Sequence, residues 1–132
     1  MKSVAAMKLG VAIAVGGTLP GLARQGTPPE VTPQSVALGD SVFHGKVGGA
    51  LCYVCHGPAG KGVTGLGPNL TDKEWLHGDG GVTFIARLVE EGVARPKKLP
   101  APMPPRGGGN LTQTQVKAAA AYVYSLTHPL GK

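Results

Sequence analysis

The sequence predicts an all-α fold of about four helices joined by long loops. Apolar residues recur at helical spacing in several stretches, and no stretch alternates apolar and polar residues as a half-buried strand does. Two Thr-x-x-Glu/Gln capping boxes stand where helices would begin. The joining segments are rich in residues that break regular structure: the 132-residue chain has 22 Gly and 12 Pro.

Taken in order, the chain opens like an export signal. Lys2 and Lys8 precede an uncharged, mostly apolar run from Leu9 to Leu22. Gly21 and Ala23 are the small residues wanted before a cut after Ala23. The run is too short, and too interrupted by Gly and Pro, to read as a membrane span. Residues 1–23 are therefore expected to be a signal peptide, with an uncleaved N-terminal anchor as the alternative. No cysteine lies near the cut, which excludes a lipoprotein anchor. Residues 24–34 hold Pro28, Pro29 and Pro33 among polar residues and read as a flexible linker. One domain, 35–132, follows.

Residues 35–45 form the first expected helix, with Val36, Gly39, Val42 and Phe43 on one side. Gly57 to Gly67 is a glycine-rich surface loop. Thr71 and Glu74 make a capping box that predicts a short helix ending by Gly78. Val82, Ile85, Leu88 and Val89 predict a helix over 82–91, with Gly92 as its C-terminal glycine. The proline-rich stretch 95–109 is an irregular loop. Thr112 and Gln115 cap the last helix, whose Val116, Ala119, Ala120, Val123 and Leu126 face inward and which Pro129 ends.

Cys52-Tyr53-Val54-Cys55-His56 carries the chemistry. Cys-x-x-Cys-His is the attachment signature of a c-type haem. The two thiols add across two vinyl groups as thioethers, and the adjacent histidine binds iron. Thioredoxin-like sites and zinc half-sites also place two thiols three apart. The chain has only these 2 cysteines, however, and His44, His77 and His128 form no ligand pair to complete a zinc site. Those three histidines read as surface or helix-end residues. No βαβ frame surrounds the thiols. A single motif means one haem. With 5% aromatic residues the chain has little material for a core, a deficit that a large apolar cofactor fills. C-type haem is attached outside the cytoplasm, in agreement with the export signal.

The sixth iron position has one candidate in the region beyond the signal: Met103, flanked by Pro102 and Pro104. A thioether favours ferrous iron, and the prolines stiffen its loop. The bland reading, a buried gap-filler, carries less weight for a lone methionine in such a loop.

In these motifs the chain resembles class I monohaem cytochromes c over residues 37–128. The Gly39-x-x-x-Phe43 helix, Cys52-x-x-Cys55-His56-Gly57, Gly67-Pro68-Asn69-Leu70 and the methionine loop before Ala121-Tyr122-Val123 match in order. Asn69-Leu70-Thr71-Asp72-Lys73-x-Trp75-Leu76 and the stretch to Arg106-Gly107-Gly108 are similar to cytochrome c domains linked to periplasmic dehydrogenases and haem–copper oxidases. The resemblance implies a cytochrome c fold wrapped around one covalent haem c, with the first and last helices crossing where Gly39 and Phe43 meet Tyr122. It implies that the Pro68 carbonyl accepts from His56 Nδ1–H, which would raise the ring's basicity toward iron. Trp75 and Arg106 are candidate cofactor contacts, Trp75 by packing on the haem or through its indole N–H, with a plain core role as the equal alternative, and Arg106 through a propionate, with a solvated loop arginine the favoured alternative. Lys97 and Lys98 are candidates for a docking rim.

The expected function is that of a periplasmic electron carrier, probed by redox partners (a dehydrogenase, a cytochrome complex or a terminal oxidase), monomeric and not itself an enzyme. The alternatives are a dedicated subunit of such a complex, a haem enzyme or gas sensor with an open sixth site, and a thiol oxidoreductase using Cys52 and Cys55. Net charge is +6, and cleavage after Ala23 would remove two lysines and leave +4, suited to acidic protein partners. The absence of interleaved aromatics or a basic stripe excludes a nucleic-acid module.

Overall fold

A computed structural model describes residues 16–17 and 27–131. The expected signal segment, Gly16 and Gly17 aside, lies outside the described residues. Four α-helices follow in order: α1 (Pro33–Phe43), α2 (Cys52–His56), α3 (Val82–Glu91) and α4 (Gln113–Ser125), with a 3-10 turn at Pro105–Gly108 before α4. Among the described residues β pairing is limited to two isolated bridges, Val63 with Gly67 and Val93 with Met103.

The first helix begins two residues earlier than its apolar spacing predicts. Thr32 Oγ1 accepts from the Ser35 N–H at 3.1 Å, and Ser35 Oγ accepts from the Thr32 N–H at 2.9 Å. This is a capping box with serine in place of Glu or Gln, and Pro33 occupies the first helical position, where a missing N–H costs nothing. Val31 is buried at 4% exposure and its N–H donates to the Pro28 carbonyl at 2.8 Å. Residues 31–34, expected in the linker, therefore belong to the folded domain.

The expected helix over 71–78 is replaced by Asx turns. Asn69 Oδ1 accepts from the Thr71 N–H, and Asp72 Oδ1 from the Glu74 N–H. These side chains take the backbone donors that a helix would use. The Glu74 carboxylate, needed to close the capping box, pairs with Lys98 instead. The fourth helix is α2, at the cysteine motif itself. In α3 the expected bounds hold, and the Gly92 N–H closes the end on Leu88 O at 2.8 Å. In α4 the Thr112/Gln115 box forms as expected, but the helix stops at Ser125, short of Pro129.

Helices α1 and α4 cross as the resemblance implies. A Cβ on Gly39 would overlap the Ala118 carbonyl oxygen and come within 2.7 Å of Tyr122 Cβ. The Phe43 and Tyr122 rings pack beside this point, centroids 5.1 Å apart. Ala118, Ala119, Ala120 and Ala121 are all buried. Such a run of small side chains lets α4 sit close to both α1 and α3, and it leaves little apolar bulk on the inner side. There the interior opens into a cavity.

Candidate haem-binding site

The cavity measures about 310 Å³, within the range of small-molecule sites, and its walls are overwhelmingly apolar. One wall is α2. Successive thiols at i and i+3 share one face of a helical turn; Cys52 and Cys55, both unpaired, line the cavity together with His56. Burial pushes the Cys52 thiol up, and Cys55 adds to this. His56 is buried at 8% exposure, and its Nδ1 lies 2.9 Å from the Pro68 carbonyl oxygen. A carbonyl can only accept, so the ring carries its proton on Nδ1 and keeps the Nε2 lone pair for a metal. Burial holds the imidazole below its ordinary pKa, against the smaller opposing effect of Pro68. The ring is thus kept neutral, as ligation requires.

Met103 lines the same cavity from a segment distant in sequence. Its backbone is fixed by a two-way pairing with Val93: Val93 N–H to Met103 O at 2.8 Å, and Met103 N–H to Val93 O at 3.0 Å. Gly92, at φ +69°, permits this approach, since a Cβ there would lie 2.5 Å from Met103 O and 2.7 Å from Pro105 N. The turn that follows returns to the cysteines: Leu51 N–H donates to Gly107 O at 3.0 Å, and a Cβ on Gly107 would meet Cys52 Sγ at 3.0 Å.

Pro68 and Trp75 line the cavity with Cys52, Cys55, His56 and Met103. Arg106 does not. Its guanidinium is held by Glu90, Nε to both carboxylate oxygens at 3.2 Å and a terminal nitrogen to Oε1 at 2.5 Å, and by Leu111 O at 2.9 Å. Both candidate roles of Arg106, the propionate contact and the solvated loop arginine, are corrected: it is engaged within the protein and does not line the cavity. It braces its own turn, whose backbone at φ 55° is left-handed and costly for a side-chain-bearing residue. Glu90, its carboxyl held below the ordinary range by Arg106, went unnoticed in the sequence because α3 and the turn lie 16 residues apart. Of the two candidate rim lysines, Lys98 is engaged by Glu74. His44 caps α1 and His128 stacks on Tyr124, as expected of helix-end histidines. His77 is different: it lines the cavity, and its Nε2 is buried without a hydrogen-bond partner.

These residues fit a covalently held haem. Two thiols and a histidine in the neutral, Nδ1-protonated form come from one helix, a thioether comes from a distant loop, and the cavity that all four line is apolar. Among the described residues no group of three or more His, Cys, Asp or Glu is arranged to hold a bare metal ion.

A family model described as cytochrome c oxidase, cbb3-type, subunit III matches residues 45–123. The chain belongs to this family. The cbb3-type cytochrome c oxidase subunit CcoP of Rubrivivax gelatinosus is 36% identical over 123 residues, covering 86% of this chain and 38% of that one. A FixP subunit of Bradyrhizobium sp. (strain ORS 278) is 38% identical over 88 residues, covering 66% of this chain and 28% of that one. This chain therefore spans well under half the length of these relatives. In fold it is similar to cytochrome cL of Methylophaga aminisulfidivorans, with TM-score 0.56, 23% identity and coverage of 74% of this chain and 57% of that one. It is also similar to a chain of a Kuenenia stuttgartiensis reducing HAO-like protein complex, with TM-score 0.54, 17% identity and coverage of 74% and 46%. As a member of the cbb3 subunit III family the chain is a cytochrome c domain, binds haem c and serves electron transfer. No helix among the described residues is long and apolar enough to cross a membrane.

Proposed function

We propose that this chain carries one electron at a time in the periplasm on a single haem c, joined to Cys52 and Cys55 and ligated by His56 and Met103. The observation that supports this most is the convergence of His56 and Met103 on one apolar cavity from separate segments, each with its backbone or ring fixed by hydrogen bonds. When bound, haem supplies an iron that alternates between ferric and ferrous. The protein's part is to hold that iron in one environment in both states. Pro68 orients the imidazole and raises its basicity toward a metal. The soft Met103 sulfur favours the ferrous state. The apolar walls exclude water, so little solvent need reorganise on electron transfer. Leu51, Val54 and Leu66 line the cavity yet are 53%, 45% and 43% exposed. They form an apolar edge against which a redox partner can dock through a small, transient interface. No substrate bond is made or broken, and the chain is not itself an enzyme.

The test is a reduced-minus-oxidised absorption spectrum of the exported protein, with its mass, compared with Met103→Ala. Both proteins should carry one haem and show a c-type spectrum. The variant should lose the far-red sulfur-to-iron band and fall in reduction potential. An unchanged potential removes Met103 from the site, and a protein without added tetrapyrrole mass refutes the proposal. Rapid, complete carbon monoxide binding by the reduced wild type would favour an open iron site instead. A second reading, a dedicated subunit of a terminal oxidase, is supported by the names of the relatives. Stable co-purification with a catalytic chain would favour it over a free carrier.

A further inference from the structure

We infer that Glu90 and Arg106 act together as a positioning pair: their link between α3 and the turn after Met103 keeps the Met103 thioether in place as an iron ligand, although neither side chain lines the cavity. This deepens the haem reading above and rests on it. The two segments meet twice, antiparallel. Val93 and Met103 exchange both backbone hydrogen bonds, at 2.8 and 3.0 Å. Three residues back from Val93 and three on from Met103, Glu90 meets Arg106, whose Nε lies 3.2 Å from both carboxylate oxygens and a terminal nitrogen 2.5 Å from Oε1. Between these two rungs, a Cβ on Gly92 would lie 2.5 Å from Met103 O, 2.7 Å from Pro105 N and 2.9 Å from Pro104 C.

A single bridge leaves a loop free to pivot about it. The second rung removes that freedom, and the chain between the rungs transmits the restraint. Pro104 and Pro105 fix φ at two successive residues, and the Gly107 N–H donates to Pro104 O at 3.2 Å. Arg106 cannot shift without carrying Met103 with it. Among the described residues Arg106 alone, glycines aside, has a positive φ, 55°, where glycine would sit without strain. What an arginine adds there is the guanidinium, which Leu111 O also accepts from at 2.9 Å. The same turn reaches the start of α2, where the Leu51 N–H donates to Gly107 O at 3.0 Å. One strut thus joins α3 to the methionine loop and to the thiol-bearing helix. Both side chains are about one-third exposed, at 33% and 34%. Such a pair adds little to global stability, and its effect falls on where the loop sits.

The experiment compares haem-loaded wild type, Glu90→Ala, Glu90→Gln, Arg106→Gly and the double variant Glu90→Ala/Arg106→Gly, with haem content verified by mass. Arg106→Gly relieves the left-handed backbone, so any loss comes from the missing guanidinium. The readouts are the far-red sulfur-to-iron band, the midpoint potential and the rate of carbon monoxide binding by the reduced protein, which waits for Met103 to leave. Glu90→Ala and Arg106→Gly should each weaken the band, lower the potential and speed carbon monoxide binding about three- to fivefold, the upper range for a half-exposed ion pair. Glu90→Gln keeps one acceptor and should fall between. The double variant should do no more than either single change, because both remove the same link. Wild-type values in both single variants overturn the inference, and so do effects that add in the double variant. If Arg106→Gly fails to take up haem, Glu90→Ala decides alone. Unaltered variants beside a wild type that shows the band sink only this inference; a wild type without haem, or without the band, sinks the electron-carrier proposal and this inference with it.

Discussion

Replacing Gly39 with alanine probes the α1–α4 crossing, on which the cavity's inner wall rests. Alanine is a better helix former than glycine by about 1 kcal/mol, so propensity alone predicts a more stable protein. The structure predicts the reverse. The new methyl would overlap the Ala118 carbonyl oxygen and lie 2.7 Å from both the Ala118 carbonyl carbon and Tyr122 Cβ. Two of these three atoms are backbone and cannot rotate away, so the helices must separate. Overpacking of this kind costs roughly 1–3 kcal/mol, and the rigid neighbours put Gly39→Ala near the upper end. Set against the propensity gain, the net loss is about 2 kcal/mol. For a domain of this size that lowers Tm by roughly 8–16 °C. Thermal unfolding of the ferric holoprotein followed by far-ultraviolet circular dichroism measures it. A Tm equal to or above wild type would refute the close-contact argument and show that the crossing gives way easily.

Thr112→Ala removes the cap that accepts from the Gln115 N–H at 3.2 Å and should cost about 1 kcal/mol; a urea midpoint unchanged from wild type would show that α4 does not depend on its cap. Gly92→Ala forces a side chain into φ +69°, ψ −172° and against Met103 O. The far-red sulfur-to-iron band should weaken and the midpoint potential should drop, and a spectrum identical to wild type would uncouple Gly92 from the methionine loop. His44 places Nε2 2.8 Å from Pro58 O and Nδ1 2.9 Å from Asp40 O, so both nitrogens donate only when the ring is charged. These acceptors, Pro58 first, raise its pKa. A group with a raised folded pKa stabilises fully below its unfolded pKa of about 6.5 and loses that contribution as pH climbs through the folded value. Denaturant midpoints should therefore fall as pH rises above about 6.5, less so in His44→Gln; equal slopes in both proteins would remove His44 as the cause.

Most of the helical framework was legible because it is local. The spacing of Val82, Ile85, Leu88 and Val89 and the Thr112/Gln115 box are written within one or two turns, and α3 and the start of α4 stand where they predict. The false helix at 71–78 shows the limit of the same signal. Thr71 and Glu74 satisfy the capping pattern, but Asn69 and Asp72 offer the same N–H groups a turn, and Glu74 is drawn away by Lys98. Nothing within eight residues decides between those outcomes. At α1 the error ran the other way, because Ser35 caps as well as a glutamate and escapes the usual pattern.

The chemistry proposed for this protein is written at a few adjacent positions. In the proposed function, two thiols and a histidine within five residues suffice to attach and ligate a haem wherever that stretch of chain lies, because the reactive groups need only one helical turn to converge. Their surroundings are another matter. Arg106 going to Glu90, Met103 being tethered by Val93 and His77 being shut into the cavity wall are contacts across many residues of sequence. They arise when α3 and the proline-rich loop pack against each other, and charge and shape at distant positions choose the partner only then.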